Sequence, residues 1–289
     1  MTALNQQQLA YLNAMGIQAW LPREAVQAVV ETQERLAVEA AGVAGIKGTA
    51  VETLESTQSV NSVDARVEQP VVRASAQSVE RAGEVSAQNL PVFWKDVQHD
   101  DWRALQSRVK HCTACELHGS RTQTVFGVGD QQADWLIVGE APGADEDRQG
   151  EPFVGRAGQL LNNMLLAIGL RREQVYIANI LKCRPPNNRD PRPEEVMQCE
   201  YYLRRQVELL QPKIILAVGR IAAQNLLKTD TPIGRLRGKL HYFGDDDRKT
   251  PLVITYHPAY LLRSPKEKRK AWQDLQFAVA VSQGNIPSS

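Results

Sequence analysis

The sequence predicts an α/β domain with a mainly parallel sheet covered by helices on both faces. Two observations carry this. Four short apolar runs, DWLIVG (134–139), VYIANIL (175–181), KIILAVG (213–219) and PLVITY (251–256), read as buried strands. Helical patterns separate and follow them at 156–168, 193–210, 220–228 and 266–282. Strands alternating with helices need parallel pairing with crossover connections, and ligand sites then form beyond the carboxyl ends of the strands.

Ahead of this domain, residues 5 to about 40 read as two short helices flanking a GIQAW corner, with Gly16 as a stop and Pro22 suited to a first helical turn. From Gly42 to Leu90 the chain has no aromatic residue and no sustained periodicity, and it is rich in Ser, Ala, Gln, Glu and Val, which predicts a disordered linker. The organisation is therefore a helical interaction segment over 1–41, a disordered linker over 42–90 and a folded domain over 91–289.

Composition excludes several classes. A formal net charge of +1 over 289 residues rules out a basic field across the whole molecule, so any grip on nucleic acid must rest on local patches. No apolar run reaches membrane-spanning length, and the first residues lack the basic and apolar regions of a secretory signal. A soluble, cytoplasmic protein is expected, with no membrane partner and a monomeric core.

In such a compartment four cysteines are ligands or core residues rather than disulfide partners. Cys112 and Cys115 lie in HCTACELH, while Cys183 and Cys199 bracket a proline-rich loop. Four thiolates brought together by folding can hold zinc or an iron–sulfur cluster, and sequence spacing alone leans slightly to zinc. The bland alternative is two unrelated pairs of buried thiols. His111 and His118 are read as surface residues, because four cysteines already complete a tetrahedral site.

The text behind each strand is where chemistry should sit: GEAPGADED, KCRPPNNRD, GRIAAQ and HPAYLLR, with Asn179 inside the end of the second strand. The first is glycine-rich but acidic, so it does not suit a phosphate. Taken together, GEAPGADEDRQGEPFVGRAGQLL, YIANILKCRPPNNRDPRPEE, AVGRIAA, HPAYLLR and the four cysteines resemble the type-4 uracil-DNA glycosylases, the iron–sulfur branch of that superfamily. The likeness runs from about residue 100 to 282. It implies a three-layer α/β/α sandwich around a central four-stranded parallel sheet, a [4Fe-4S] cluster on Cys112, Cys115, Cys183 and Cys199, and base-excision repair of uracil-containing DNA by hydrolysis of the N-glycosidic bond.

The resemblance assigns roles residue by residue. A flipped uracil needs a stacking face and edge hydrogen bonds. Phe153, placed in a loop by Pro152, Gly150 and Gly155, is the stacking platform; Asn179 pairs with uracil O4 and N3–H, which an amide can do because it both donates and accepts. His257 donates toward O2, where charge develops on the departing base, and the backbone near Ala141 adds a second donor. Type-1 uracil glycosylases carry an aspartate where this chain has Ala141, so the water falls to Glu140 or Glu146, the latter alternatively gating against a 5-methyl group. Asp145 and Asp147 are read as solvated charges. Leu261 is a candidate wedge into the vacated stack; Arg263, Lys266, Lys268, Arg269 and Lys270 are candidate phosphate contacts, with Arg184, Asn188 and Arg189 near the DNA. A covalent-trapping relative carries a basic histidine-bearing insertion that is absent between Gly155 and Val175, so turnover is expected.

The front end has its own likeness. LAYLNAMGIQAWLPRE resembles the amino-terminal peptide of the psi subunit of the bacterial replicative clamp loader, which implies clamp-loader subunits as partners through residues 9–23. Tyr11, Leu12, Met15, Ile17 and Trp20 then form a helix-in-groove anchor or, alternatively, pack back on the domain. The second functional reading is a replisome adaptor that uses the same fold to bind DNA.

Overall fold

The computed structural model describes residues 97–245 and 248–285, together with Ala10, Leu12, Asn13 and Gly16. The linker 42–90 and the remainder of the 1–41 segment, including Tyr11, Met15, Ile17 and Trp20, lie outside the described residues. Gly16 does end a turn: its φ is +74° and its N–H donates to Asn13 O at 2.8 Å. Leu12 is 1% exposed and belongs to the same apolar core as Leu261, Ala271 and Leu275. That packing corrects the anchor reading for this side chain, since a leucine already in the core has no free face for a partner.

Among the described residues the sheet has six strands: β1 Val128–Gly129, β2 Trp135–Gly139, β3 Tyr176–Asn179, β4 Ile214–Val218, β5 His241–Phe243 and β6 Thr250–Thr255. Their order is β1-β3-β2-β4-β6-β5. The four strands read from the sequence are the parallel ones, in register Gly139 with Asn179, Val138 with Ala217 and Val218 with Thr255. Two short strands unforeseen in the sequence, β1 and β5, close the edges antiparallel. β2 and β4 are wholly buried, as strands covered on both faces must be.

Among the described residues from 97 onward the α-helices are α1 Trp102–Lys110, α2 Ala144–Gln149, α3 Arg156–Ala167, α4 Pro193–Leu210, α5 Arg220–Leu227, α6 Ile233–Leu236, α7 Pro258–Arg263 and α8 Lys268–Ser282. α3 buries Leu160, Leu161, Met164 and Leu165, spaced so that one stripe meets the sheet. α4 starts at Pro193, and the Glu195 carboxylate accepts from Arg192 N at 2.8 Å, relieving an orphan donor of the first turn. The chain runs from β2 outward to β3, then returns past β2 to β4 and β6 on its other side. Strand order thus reverses at β2, and the crevice beyond its carboxyl end, at Gly139 and Glu140, is where such a sheet binds ligands.

Candidate active site

Four parallel strands deliver four residues to this crevice. Gly139 ends β2 and lies beside Asn179, the last residue of β3. A Cβ on Gly139 would stand 2.4 Å from Asn179 Oδ1 and 2.7 Å from the Phe153 ring, so only glycine lets the three meet. Gly219, with φ +105°, follows β4, and a Cβ there would approach His257 Cβ to 2.9 Å. His257 follows β6, and its ring lies 5.6 Å from that of Phe153 at an interplanar angle of 30°. Phe153, Asn179 and His257 therefore converge although they are far apart in sequence.

Each is held in a state suited to a base. Asn179 is 2% exposed, and its Oδ1 has no hydrogen-bond partner among the described residues. A buried amide oxygen without a partner is costly, so its presence at the mouth of the sheet points to a ligand that supplies the missing donor. His257 Nδ1 accepts from Ala259 N at 3.1 Å, which places the ring hydrogen on Nε2. Burial, helped by the Arg263 charge, pushes the His257 pKa down to about 4. The imidazole is neutral near pH 7 and offers one N–H donor.

Phe153 has φ +55°, a left-handed conformation uncommon for a bulky residue. Two charged side chains clamp its loop. Arg172 donates to Pro152 O at 2.6 Å and to Phe153 O at 3.3 Å. Glu146 accepts from Gly143 N at 3.1 Å and from Val154 N at 3.2 Å. Arg172 was not singled out in the sequence, where GLRREQ has no local signal of its role. Glu146 was read as a candidate for activating water or gating a methyl group; each of its carboxylate oxygens accepts from a backbone N–H, so it also braces the loop. Asp147 is corrected likewise, because it is buried and both oxygens accept from Thr122 N at 2.9 and 3.1 Å. Asp145 is exposed and pairs with Arg148 at 2.6 Å, as a solvated charge would.

Glu140 differs from Glu146. Partial burial, reinforced by Asp190 and partly offset by Arg220, raises its pKa to about 7. Arg220 itself pairs with Asp190 at 2.6 Å. Beside Glu140, Ala141 is half-buried.

The basic stretch is partly committed. Arg263, Lys266 and Arg269 are exposed and Lys268 is half-exposed, whereas Lys270 pairs with Glu267 at 2.8 Å. Leu261 is 0% exposed within the core, so it is no wedge: it faces inward from α7 and anchors that short helix. Arg189 is committed to a bidentate pair with buried Glu195, while Arg184 donates to Asn188 at 2.8 Å on the surface.

Cys112, Cys115, Cys183 and Cys199 line one small recess between α1, α4 and the segment after β3. Among the described residues no three His, Cys, Asp or Glu side chains form a site for a single metal ion. Burial raises the thiol pKa of Cys115 and Cys183 and pushes that of Cys199 up to about 12. N–H donors already point at sulfur: Arg121 to Cys183 Sγ at 3.1 Å, Lys182 N to Cys199 Sγ at 3.2 Å and Ala114 N to Cys112 Sγ at 3.5 Å. Four sulfurs in one recess, two of the cysteines buried and two half-buried, fit a group that accepts four thiolates and supplies positive charge beside them. His111 and His118 are exposed, as expected.

Phe153, Asn179 and His257 meeting at the switch point of a parallel sheet is the arrangement this fold and site define. Residues 126–276, just over half of the chain, match the Uracil DNA glycosylase superfamily. Similar proteins include the type-4 uracil-DNA glycosylase of Archaeoglobus fulgidus, 49% identical over 172 residues covering 58% of this chain and 86% of the relative. Those of Pyrobaculum aerophilum and Thermotoga maritima are each 43% identical, over 61% and 60% of this chain and 91% of either relative. The chain belongs to the type-4 uracil-DNA glycosylases of that superfamily.

Proposed function

We propose that this protein hydrolyses the N-glycosidic bond of uracil in DNA in base-excision repair, with Asn179, Phe153 and His257 as the uracil site. The observation that carries the reading is the unpartnered Asn179 Oδ1, buried beside the Phe153 ring and opposite a neutral histidine donor. Uracil N3–H supplies the donor that Oδ1 lacks, and the Asn179 amide N–H₂ donates to O4. The base stacks on Phe153. As the bond breaks, charge gathers toward O2, and His257 Nε2–H stabilises it without needing to transfer a proton. The Ala141 N–H adds a second donor. Glu140, half ionised near pH 7, orients or deprotonates the attacking water. Arg263 and Lys268 hold flanking phosphates.

Cys112, Cys115, Cys183 and Cys199 hold a [4Fe-4S] cluster, whose contribution is to cross-link three segments of chain beside the uracil site. Unbridged thiols of this kind suit the reducing cytoplasm, where we place the protein.

The test is excision from a single uracil-containing oligonucleotide, with iron content and visible absorption measured on the same sample. The reading expects uracil release, loss of release in Asn179→Ala and His257→Ala, and about four irons per chain. An iron-loaded protein that releases no uracil would refute it; an active protein holding zinc would refute the cluster alone.

A further inference from the structure

Among the described residues Lys182 is the one lysine in the core, 1% exposed. Both hydrogen-bond acceptors of its ammonium are neutral: Asn179 O at 2.9 Å and Gln206 Oε1 at 2.6 Å. A buried ammonium is costly unless its donors are satisfied, and these two oxygens satisfy two of its three N–H groups. The arrangement around it is closed. Gln206, with Oε1 taken by Lys182, turns Nε2 toward Phe126 O at 3.0 Å and Tyr176 Oη at 3.3 Å. Tyr176 and Asn179 are the two ends of β3, so the network grips that strand at both ends. The Lys182 main chain faces the other way, its N–H on Cys199 Sγ at 3.2 Å and its carbonyl accepting from Val125 N at 2.8 Å.

We propose that Lys182 is a positioning residue for Asn179, and that through it the cysteine recess and the uracil site share one strut. The inference rests on the glycosylase reading for the role of Asn179. Where β3 ends, Lys182 Nζ takes the place that a backbone N–H three residues on would take in a turn, and fixes the Asn179 peptide plane. That plane sets where the side-chain amide points, with Oδ1 against Gly139 and Phe153. The buried charge is useful here because an ammonium holds a carbonyl more firmly than a neutral donor does.

The experiment is a double-mutant cycle of Lys182→Met with Asn179→Ala on uracil excision, together with the crystal structure of Lys182→Met and its iron content. Lys182→Met is expected to lower kcat/KM by at least tenfold, and to lower it less than twofold further in the Asn179→Ala background, because both changes remove one function. Its crystal structure should show the Asn179 amide turned from Phe153. Iron content should be kept, since the bond to Cys199 Sγ comes from the main chain. Losses that multiply across the cycle, or an unmoved Asn179, overturn the proposal. Lys182→Gln, which keeps a donor and removes the charge, gives the same non-additive pattern with a smaller loss and replaces Lys182→Met where that variant does not fold. Wild-type excision is read first: its absence refutes the glycosylase reading, and the crystal structure of the variant then decides the positioning of Asn179 by itself.

Discussion

Replacing Glu140 with glutamine separates its place in the chemistry from its place in the fold, because the two move in opposite directions. Partial burial and Asp190 raise the Glu140 pKa from the ordinary 4.5 to about 7, so the folded protein holds a proton that the unfolded chain releases. Stability is therefore greatest, for this group, below pH 4.5 and is lost as pH rises toward 7, above which the cost is complete. At about 1.36 kcal/mol per pH unit that interval sets a ceiling of about 3.4 kcal/mol. Solvent reaches part of the carboxylate, which reduces the expected cost to about 1–2 kcal/mol. Glutamine keeps the shape and removes the charge. In a domain of this size Glu140→Gln should then raise Tm by roughly 3–6 °C at pH 8 and by far less at pH 5. In the same variant excision at pH 8 should fall about 10²-fold, the low end for loss of a general base. Thermal unfolding and single-turnover excision at both pH values make the test. A Tm offset that does not change with pH would refute the electrostatic argument, and an unchanged cleavage rate at pH 8 would remove Glu140 as the base.

The wild-type pH profile follows from the same residues: His257, with its pKa near 4, stays neutral above pH 5, so the excision rate should follow Glu140, rising about tenfold from pH 6 to a plateau above pH 7. A rate that falls as pH rises from 6 to 8 would contradict it. Gly139→Ala puts a methyl group 2.4 Å from Asn179 Oδ1, and this overpacking should cost about 1–3 kcal/mol in denaturant unfolding and lower excision together. Leu261→Ala should behave as a core truncation, losing about 2–5 kcal/mol of stability with little change in affinity for uncleavable DNA. A large affinity loss at unchanged stability would restore the wedge.

Which parts of this site could be read without coordinates depends on how far each residue's role is set by its neighbours in the chain. The four parallel strands were legible because strands buried on both faces are continuous apolar runs, and α4 because Pro193 and Glu195 mark its start in the text. α2 was not: ADEDRQ has no apolar stripe, and its helix is fixed by contacts to Thr122 and Val154, outside the segment. β1 and β5, two and three residues long, are too short for any period to register. Asn179 was legible because an amide inside an apolar strand demands a partner. Leu261 and Leu262 are adjacent on a six-residue helix, about 100° apart, and only packing decides which one enters the core. Glu140 and Glu146 show the limit most clearly. Both lie in one glycine-rich acidic stretch, and nothing local ranks them. Folding gives Glu146 two backbone amides, one on each oxygen, which hold the loop, and leaves Glu140 partly buried beside Asp190 with its pKa moved to about 7. A carboxylate fixed by a backbone amide on each oxygen is held in place as a brace, and one poised near neutrality can accept a proton and return it. The assignment of the water to Glu140 thus rests on where two amide hydrogens point.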